Sequence, residues 1–547
     1  MPISRLTPGL HRRPTRRRAV LAGGLAAVAA VAGIGLLGGQ PFASAEANIS
    51  FDNGSGMSFV VDARNGNLTS LQHNGTELTA PGRAAGQIES GWKSAAVSSR
   101  TFADRSILVT VDEREVGETQ YYYARRGDNT IYMATDIRQP QNPGEARFIT
   151  RLNRSLLTTS PVAARTAGTV AAVEGSDVFK FADGRTASKF YSSQRLITQQ
   201  PFGASGHGHG AYLVPGTGEM SSGGPFFRDI EVNDTGDAVN ITYCMNSGHT
   251  QTEPLRLGLQ GPYALALTDG PAPARHSLDF LSAYIPGLLS NAQRGGVQGT
   301  ATGSWNGQRA TVALAGPNGQ YWSQVKAGRF LIGHIRPGTY TASLYAGELA
   351  VGVAKEVTVT AGATTTVALS GNVPAAGTLF QLGAFDGTPA GFRNADKIET
   401  MHPSDPRMAP WNVGTFDIAS GAANFPMAEF QAVNAPLAIR FPLRAVPAKG
   451  VRLRVATTLN FAGGRPAVAI GSYRSPVSAS PAPRDLKSRG VTRGTWRGVN
   501  TTYVFDIPAA ALKEGANTLS LSVVSGSTGT TFLSPNFVFD ALALDPA

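Results

Sequence analysis

Short runs of β-branched and aromatic residues, each cut off by a turn dipeptide, leave this chain few folds to choose from. Ile107-Leu108-Val109-Thr110-Val111 and Thr130-Ile131-Tyr132-Met133-Ala134-Thr135 are such runs; Asn65-Gly66, Asn74-Gly75 and Asp183-Gly184 are such stops. Asn-Gly and Asp-Gly accept the left-handed backbone that tight hairpins require. With 64 glycines and 34 prolines, the chain suits many strands joined by turns rather than packed helices. An all-β fold is therefore expected. At 547 residues, with 42% hydrophobic and 16% charged residues, the chain reads as several globular domains and not as a disordered protein. Its one cysteine, Cys244, cannot form an internal disulfide, so packing must hold the fold together.

Residues 1–45 read as an export signal. Thr15-Arg16-Arg17-Arg18-Ala19-Val20-Leu21 resembles a twin-arginine signal, an Ala/Gly/Leu/Val-rich run follows, and Ala43-Ser44-Ala45 has the small-x-small pattern of a cleavage site. An uncleaved membrane anchor is the competing reading, and the many glycines and alanines count against it. The mature chain is then expected to be bacterial and secreted, with no membrane partner once the signal is removed. Removing this segment, which carries six arginines and no acid, lowers the net charge from +11 to about +5. No basic stripe with interleaved aromatics remains, so nucleic acid is not an expected partner.

The rest divides by composition. Residues 46–291 alternate short strands and turns, closing on Ser277–Leu289, whose apolar spacing predicts a short helix interrupted by Pro286. Residues 292–370 contain Arg336-Pro337-Gly338 and the alternating Val357-Thr358-Val359 with a following glycine turn. They read as a small immunoglobulin- or fibronectin-type sandwich. Residues 371–547, with Val451–Thr457 and Asn517–Val523 among their strands, read as a jelly-roll sandwich of the carbohydrate-binding kind.

Chemistry-bearing residues concentrate in the first block. His207 and His209 have metal-ligand spacing in a glycine loop, but no nearby acid or cysteine completes a set, so no metal site is assigned. His249 ends Asn246-Ser247-Gly248, a turn that would expose its ring. Lys189 stands in Thr186-Ala187-Ser188-Lys189-Phe190-Tyr191, where an exposed strand lysine is the ordinary alternative to a catalytic one. Asp229 and Glu253 are the candidates if the chain is a carboxylate-based glycoside hydrolase. Structural calcium at Asp386, Asp396, Asp405 or Asp540 competes with ordinary turn roles.

The runs Ser188–Tyr191, Glu219–Asp229 and Asn246–Glu253 resemble rhamnogalacturonan lyases of polysaccharide lyase family 4. So do Leu382–Asn394, Met401–Asp405 and Leu533–Leu542, and the resemblance covers the whole mature chain. It implies a large β-sandwich catalytic domain (a supersandwich), a fibronectin type III-like sandwich and a C-terminal jelly-roll. It also implies β-elimination at the bond from rhamnose to C4 of galacturonate in rhamnogalacturonan I, a pectic polysaccharide, by a monomer that requires no cofactor for catalysis. The family's catalytic lysine falls on Lys189 and its histidine on His249. Arg147 is the implied substrate-binding arginine, with Arg151 competing, and Tyr243 is the nearest aromatic candidate. Cys244 stands where relatives are expected to carry an aromatic. Arg228 and Asp229 either touch substrate or form an ion pair that shapes the cleft. A lysine with an ordinary pKa of ~10.4 serves as base only if burial or nearby cations lower that value, while a histidine near neutrality can supply the leaving-group proton. A degenerate lyase that binds pectin without cutting it is the alternative.

Overall fold

The computed structural model describes residues 43–44, 47–140, 145–161, 163–174, 177–249, 253–479, 489–496 and 500–547. The expected export signal lies outside them except for residues 43–44.

Two eight-stranded antiparallel sheets form the first domain, packed face to face around a core that includes Phe59, Tyr122, Phe148 and Tyr263. The strands that position the site are β1 (Leu68–His73), β2 (Gly86–Ile88), β3 (Ala146–Asn153), β4 (Thr186–Ser188), β5 (His209–Pro215), β6 (Ala238–Asn246) and β7 (Gly258–Thr268). In one sheet β6, β3, β2 and β1 are successive neighbours; in the other, β7 pairs with β5. Strand alternation decides what β3 offers. Phe148, Thr150 and Leu152 turn into the core, which sets Arg147, Ile149 and Arg151 on the outer face.

The strand Thr130–Ile137 is buried along nearly its whole length, on both faces, because Leu278, Leu281, Ile285 and Leu288 cover the sheet's outer side. Sequence spacing had suggested a helix there. The structure has a 3₁₀ turn at Asp279–Ala283, since Pro286 can neither donate to nor continue a helix ladder. The apolar residues are buried all the same.

Residues 295–370 form a three-stranded and a four-stranded sheet around Val312, Leu314, Tyr340 and Val359. Two five-stranded sheets follow, packed around Phe425, Phe430 and Phe537. The all-β, three-sandwich reading is what the structure shows.

Polar seams join the sandwiches. Between the first and second, Glu219 is fully buried, with Arg336 Nε 2.9 Å from Oε1, Tyr321 donating to Oε2 at 3.0 Å, and Arg294 also on Oε2. Between the first and third, Asp405 accepts from Thr186 N at 2.6 Å and Thr186 Oγ1 at 2.8 Å, and Ser188 N donates to Thr400 O. Arg195 spans all three, holding Glu348 at 2.7 Å and Glu399 at 2.8 Å. Glu219→Ala would leave two arginines facing each other without counter-charge. It is expected to destabilise the chain by about 3–5 kcal/mol, read as a lower thermal midpoint.

Candidate active site

Lys189 begins a 3₁₀ turn where β4 ends. Ser188 caps that turn by accepting from Phe190 N, and Lys189 N donates to Asp177 O at 2.9 Å. The Lys189 Nζ lies 5.5 Å from the centre of the Phe179 ring. Burial lowers the pKa of this ammonium below the usual lysine value; Asp177 resists the drop and Arg147 adds to it.

His249 follows β6 through a turn in which its N–H donates to Ser247 Oγ at 3.1 Å. Gly248 permits the path, because a Cβ there would stand 2.9 Å from the Glu145 carboxylate. The ring is not exposed as the turn had suggested: its side chain is 13% accessible, held between two acids. Nδ1 is 3.0 Å from Asp229 Oδ1, and Nε2 is 3.7 Å from Asp177 Oδ1. An ionised carboxylate only accepts, so Asp229 fixes the proton on Nδ1 and aims Nε2 along the ring axis towards the Asp177 side. Burial pulls the imidazole pKa down, but Asp229, Asp177 and Glu145 together carry it above the usual value. Asp229 is lowered in turn: burial opposes ionisation, and the histidine beside it outweighs that penalty.

The third sandwich completes this arrangement. Arg493 Nη1 donates to the His249 carbonyl at 2.8 Å across 244 residues of sequence, and its Nε is 3.1 Å from Asp177 Oδ2. Asp177 therefore faces Lys189, His249 and Arg493 together.

Arg147 lies 2.8 Å from Glu145 and 3.8 Å from Glu89. Burial opposes its charge, yet these carboxylates and Asp229 raise its pKa. Glu89 sits at a left-handed φ of 49° and is pushed to about 8 by burial and by Glu145. Arg151, two positions along the same outer face, has its pKa lowered by burial, by Arg147 and by Arg83. The two arginines lie two residues apart on one strand face and form a cationic row.

Other expected residues sit elsewhere. Tyr243 turns inward and stacks on Tyr263 at 4.3 Å, which takes its ring off the outer face of the sheet. Arg228 is 5% accessible and donates to Phe190 O, Glu399 O and Gly494 O, so it braces the lysine turn against the third sandwich. Its charge partner is Glu399 at 3.7 Å, while Asp229 belongs to His249. The two do not form the ion pair that sequence adjacency suggested. Glu253 is engaged by Arg256 at 2.7 Å and by Gly223 N, which removes it from the hydrolase pairing with Asp229. Cys244 lies opposite Arg147 in the β3–β6 register, and burial raises its thiol pKa, so it is not an activated nucleophile.

Of the aspartates considered for calcium, Asp405 is taken up by Arg407 and Thr186, and Asp540 accepts from Asp386 N and Gly387 N. Among the described residues no three His, Cys, Asp or Glu side chains converge as a metal set. A cavity of about 290 Å³ between the first two sandwiches borders Asp229, Tyr243, Cys244 and Trp322, but neither Lys189 nor His249 lines it. It meets the Lys189–His249 cluster only through Asp229.

Sequence reading missed Asp177, Glu89, Glu145 and Arg493. Glu145 stands two residues before Arg147 and pairs with it at 2.8 Å. Arg493 carried no local signal.

A lysine with a lowered pKa and a histidine with a raised one, sharing an acid beside an arginine row, define a polysaccharide lyase built on β-sandwiches. Comparison with known proteins agrees. Residues 42–285 match the family model "Rhamnogalacturonan lyase B, N-terminal", residues 293–367 match "Polysaccharide lyase family 4, domain II", and residues 378–544 match "Polysaccharide lyase family 4, domain III". "Rhamnogalacturonate lyase A" of Emericella nidulans is 41% identical over 91% of this chain and 96% of its own length. The protein of the same name from Aspergillus aculeatus is 41% identical over 89% and 92%. "Probable rhamnogalacturonate lyase A" of Aspergillus clavatus is 42% identical over 89% and 92%. The chain belongs to polysaccharide lyase family 4.

Asp229→Asn removes the charge that favours the imidazolium. The His249 titration, followed by NMR, is expected to move to lower pH, with the limb of the pH–rate profile that reports loss of its proton moving the same way and the maximal rate falling about 10-fold or more.

Proposed function

We propose that this chain is a secreted rhamnogalacturonan lyase that breaks the bond from rhamnose to C4 of galacturonate in the rhamnogalacturonan I backbone. The observation that carries this reading is the convergence on Asp177 of Lys189, whose N–H donates to its carbonyl at 2.9 Å, of His249 Nε2 at 3.7 Å and of Arg493 Nε at 3.1 Å; burial lowers the Lys189 pKa, and the acids beside His249 raise that of its ring. One group is made easier to use as a base and the other easier to keep as an acid.

In this reading the galacturonate carboxylate docks on Arg147, which spreads the negative charge and acidifies the C5 hydrogen. The Lys189 Nζ lone pair takes the C5 proton. The C–H electron pair becomes the C4–C5 double bond, the C4–O bond breaks, and His249 Nε2 delivers its proton to the departing oxygen of rhamnose. Lys189 ends as an ammonium and His249 as a neutral imidazole, and solvent exchange resets both. The product carries an unsaturated galacturonate at its new nonreducing end, and no water is added. Arg147 supplies the positive charge that neutralises the carboxylate, so the reading calls for no cofactor in the elimination step. Arg151 and Arg83 continue the cationic row for further uronates along the chain.

The export signal supports secretion from a bacterium by the twin-arginine route, with the mature chain acting on pectic polysaccharide as a monomer. Among the described residues no helix is long and apolar enough to cross a membrane.

Purified rhamnogalacturonan I incubated with the chain is expected to yield products absorbing near 235 nm. Lys189→Ala and His249→Ala should each lower that rate by about 10²–10⁴ while polysaccharide binding persists. Products heavier by one water, without the absorbance, would overturn the reading.

A further inference from the structure

His209 stood alone in the glycine loop as a metal-ligand candidate without a partner; the fold supplies one from the opposite sheet. His73 ends β1 and His209 begins β5, and their Nδ1 atoms are 3.0 Å apart with the rings edge to face. The hairpin that delivers His209 turns through His207 and Gly208, both in the left-handed region at φ 49° and 79°. His73 is fully buried, and its Nε2 makes no hydrogen bond. That nitrogen faces Asp269 Oδ1 at 3.7 Å, an 84% accessible carboxylate that also accepts from Asn74 Nδ2 at 3.1 Å.

These positions favour one tautomer. A carboxylate before Nε2 favours the proton there, so His73 Nδ1 accepts a hydrogen bond from His209 Nδ1–H in the metal-free protein, and a cation takes that proton's place as His209 shifts to its Nε2–H tautomer. This is the carboxylate–histidine arrangement that orients metal-bound imidazoles. Two nitrogens each ~2.0 Å from one cation are about 2.8 Å apart in a square-planar set and about 3.3 Å apart in a tetrahedral one. The observed separation falls between these values. His209 is partly accessible, so water can fill the remaining positions.

We propose that His73 Nδ1 and His209 Nδ1 form a two-imidazole site for a late first-row divalent cation of the copper(II) or nickel(II) class, clipping one sheet of the first sandwich to the other. The site is separate from the catalytic one. β2 runs towards Glu89 and Arg147, and β1 is antiparallel to it, so His73 lies at the far end of the sheet. The assignment is independent of the lyase reading.

The test uses the mature chain without a polyhistidine tag, stripped with EDTA and titrated calorimetrically with copper(II) or nickel(II) chloride. His209→Gln is the variant of choice, because its ring sits on a hairpin rather than in the core. The wild type is expected to take up one equivalent, with affinity at least 10-fold weaker in His209→Gln. Its thermal midpoint should rise by about 3 °C at a hundredfold excess over Kd, and the variant's should not. Electron paramagnetic resonance of the copper(II) form should show hyperfine coupling to two imidazole nitrogens. Absence of saturable uptake, equal uptake by His209→Gln, or a spectrum without imidazole coupling would each overturn the proposal.

Discussion

Asp177 is the charge on which the site turns. Lys189, His249 and Arg493 all face this carboxylate, and without it three cationic or protonatable groups would repel one another in a half-dry pocket. With it, they stay close while the proton affinities of the lysine and the histidine move towards one another. Lys189 has Asp177 nearby but makes no direct ion pair with it, so burial and Arg147 still weaken its hold on a proton. His249 has a second acid at 3.0 Å, and its hold strengthens. The opposite shifts follow from burial, which prevails at Lys189, and from Asp229, which prevails over burial at His249.

The geometry depends on more than one sandwich. The lysine turn begins on a three-residue strand, too short to be rigid alone. Thr186, Ser188 and Arg228 fasten it to the third domain through Asp405, Thr400, Glu399 and Gly494. Gly494 is necessary at that contact, because it has φ 86° and a Cβ there would stand 2.6 Å from Ser188 Oγ. Arg493, one residue earlier, reaches the histidine carbonyl and Asp177. The accessory sandwich is thus part of the wall of the site, and the middle sandwich is locked to the first through buried Glu219. These seams hold together side chains that come from distant stretches of the chain.

Much of this was legible in order of residues. Alternation and turn dipeptides identify the sandwiches because strand periodicity and hairpin backbone are local properties. Lys189 and His249 were singled out by the resemblance of their runs to family 4 lyases; the structure adds that Ser188 caps the lysine turn and that Gly248 clears the path past Glu145. Tyr243 was misread for a physical reason. Nearness in sequence to a candidate histidine says nothing about which face of the strand a ring occupies, and strand parity sends this one into the core. Arg228 and Asp229 were misread similarly, because adjacent residues on an extended chain point apart and find different partners.

The sequence by itself determined the fold class, the division into three sandwiches and the two residue types able to exchange protons with a sugar acid, because these rest on local periodicity and on intrinsic side-chain chemistry. Tertiary structure alone decided which acids those residues meet. The pairing of His249 with Asp229, the placing of Asp177 between histidine, lysine and Arg493, and the meeting of His73 with His209 all join segments far apart in the chain. Electrostatic shifts depend on distance and burial in space, and neither is encoded at any single position.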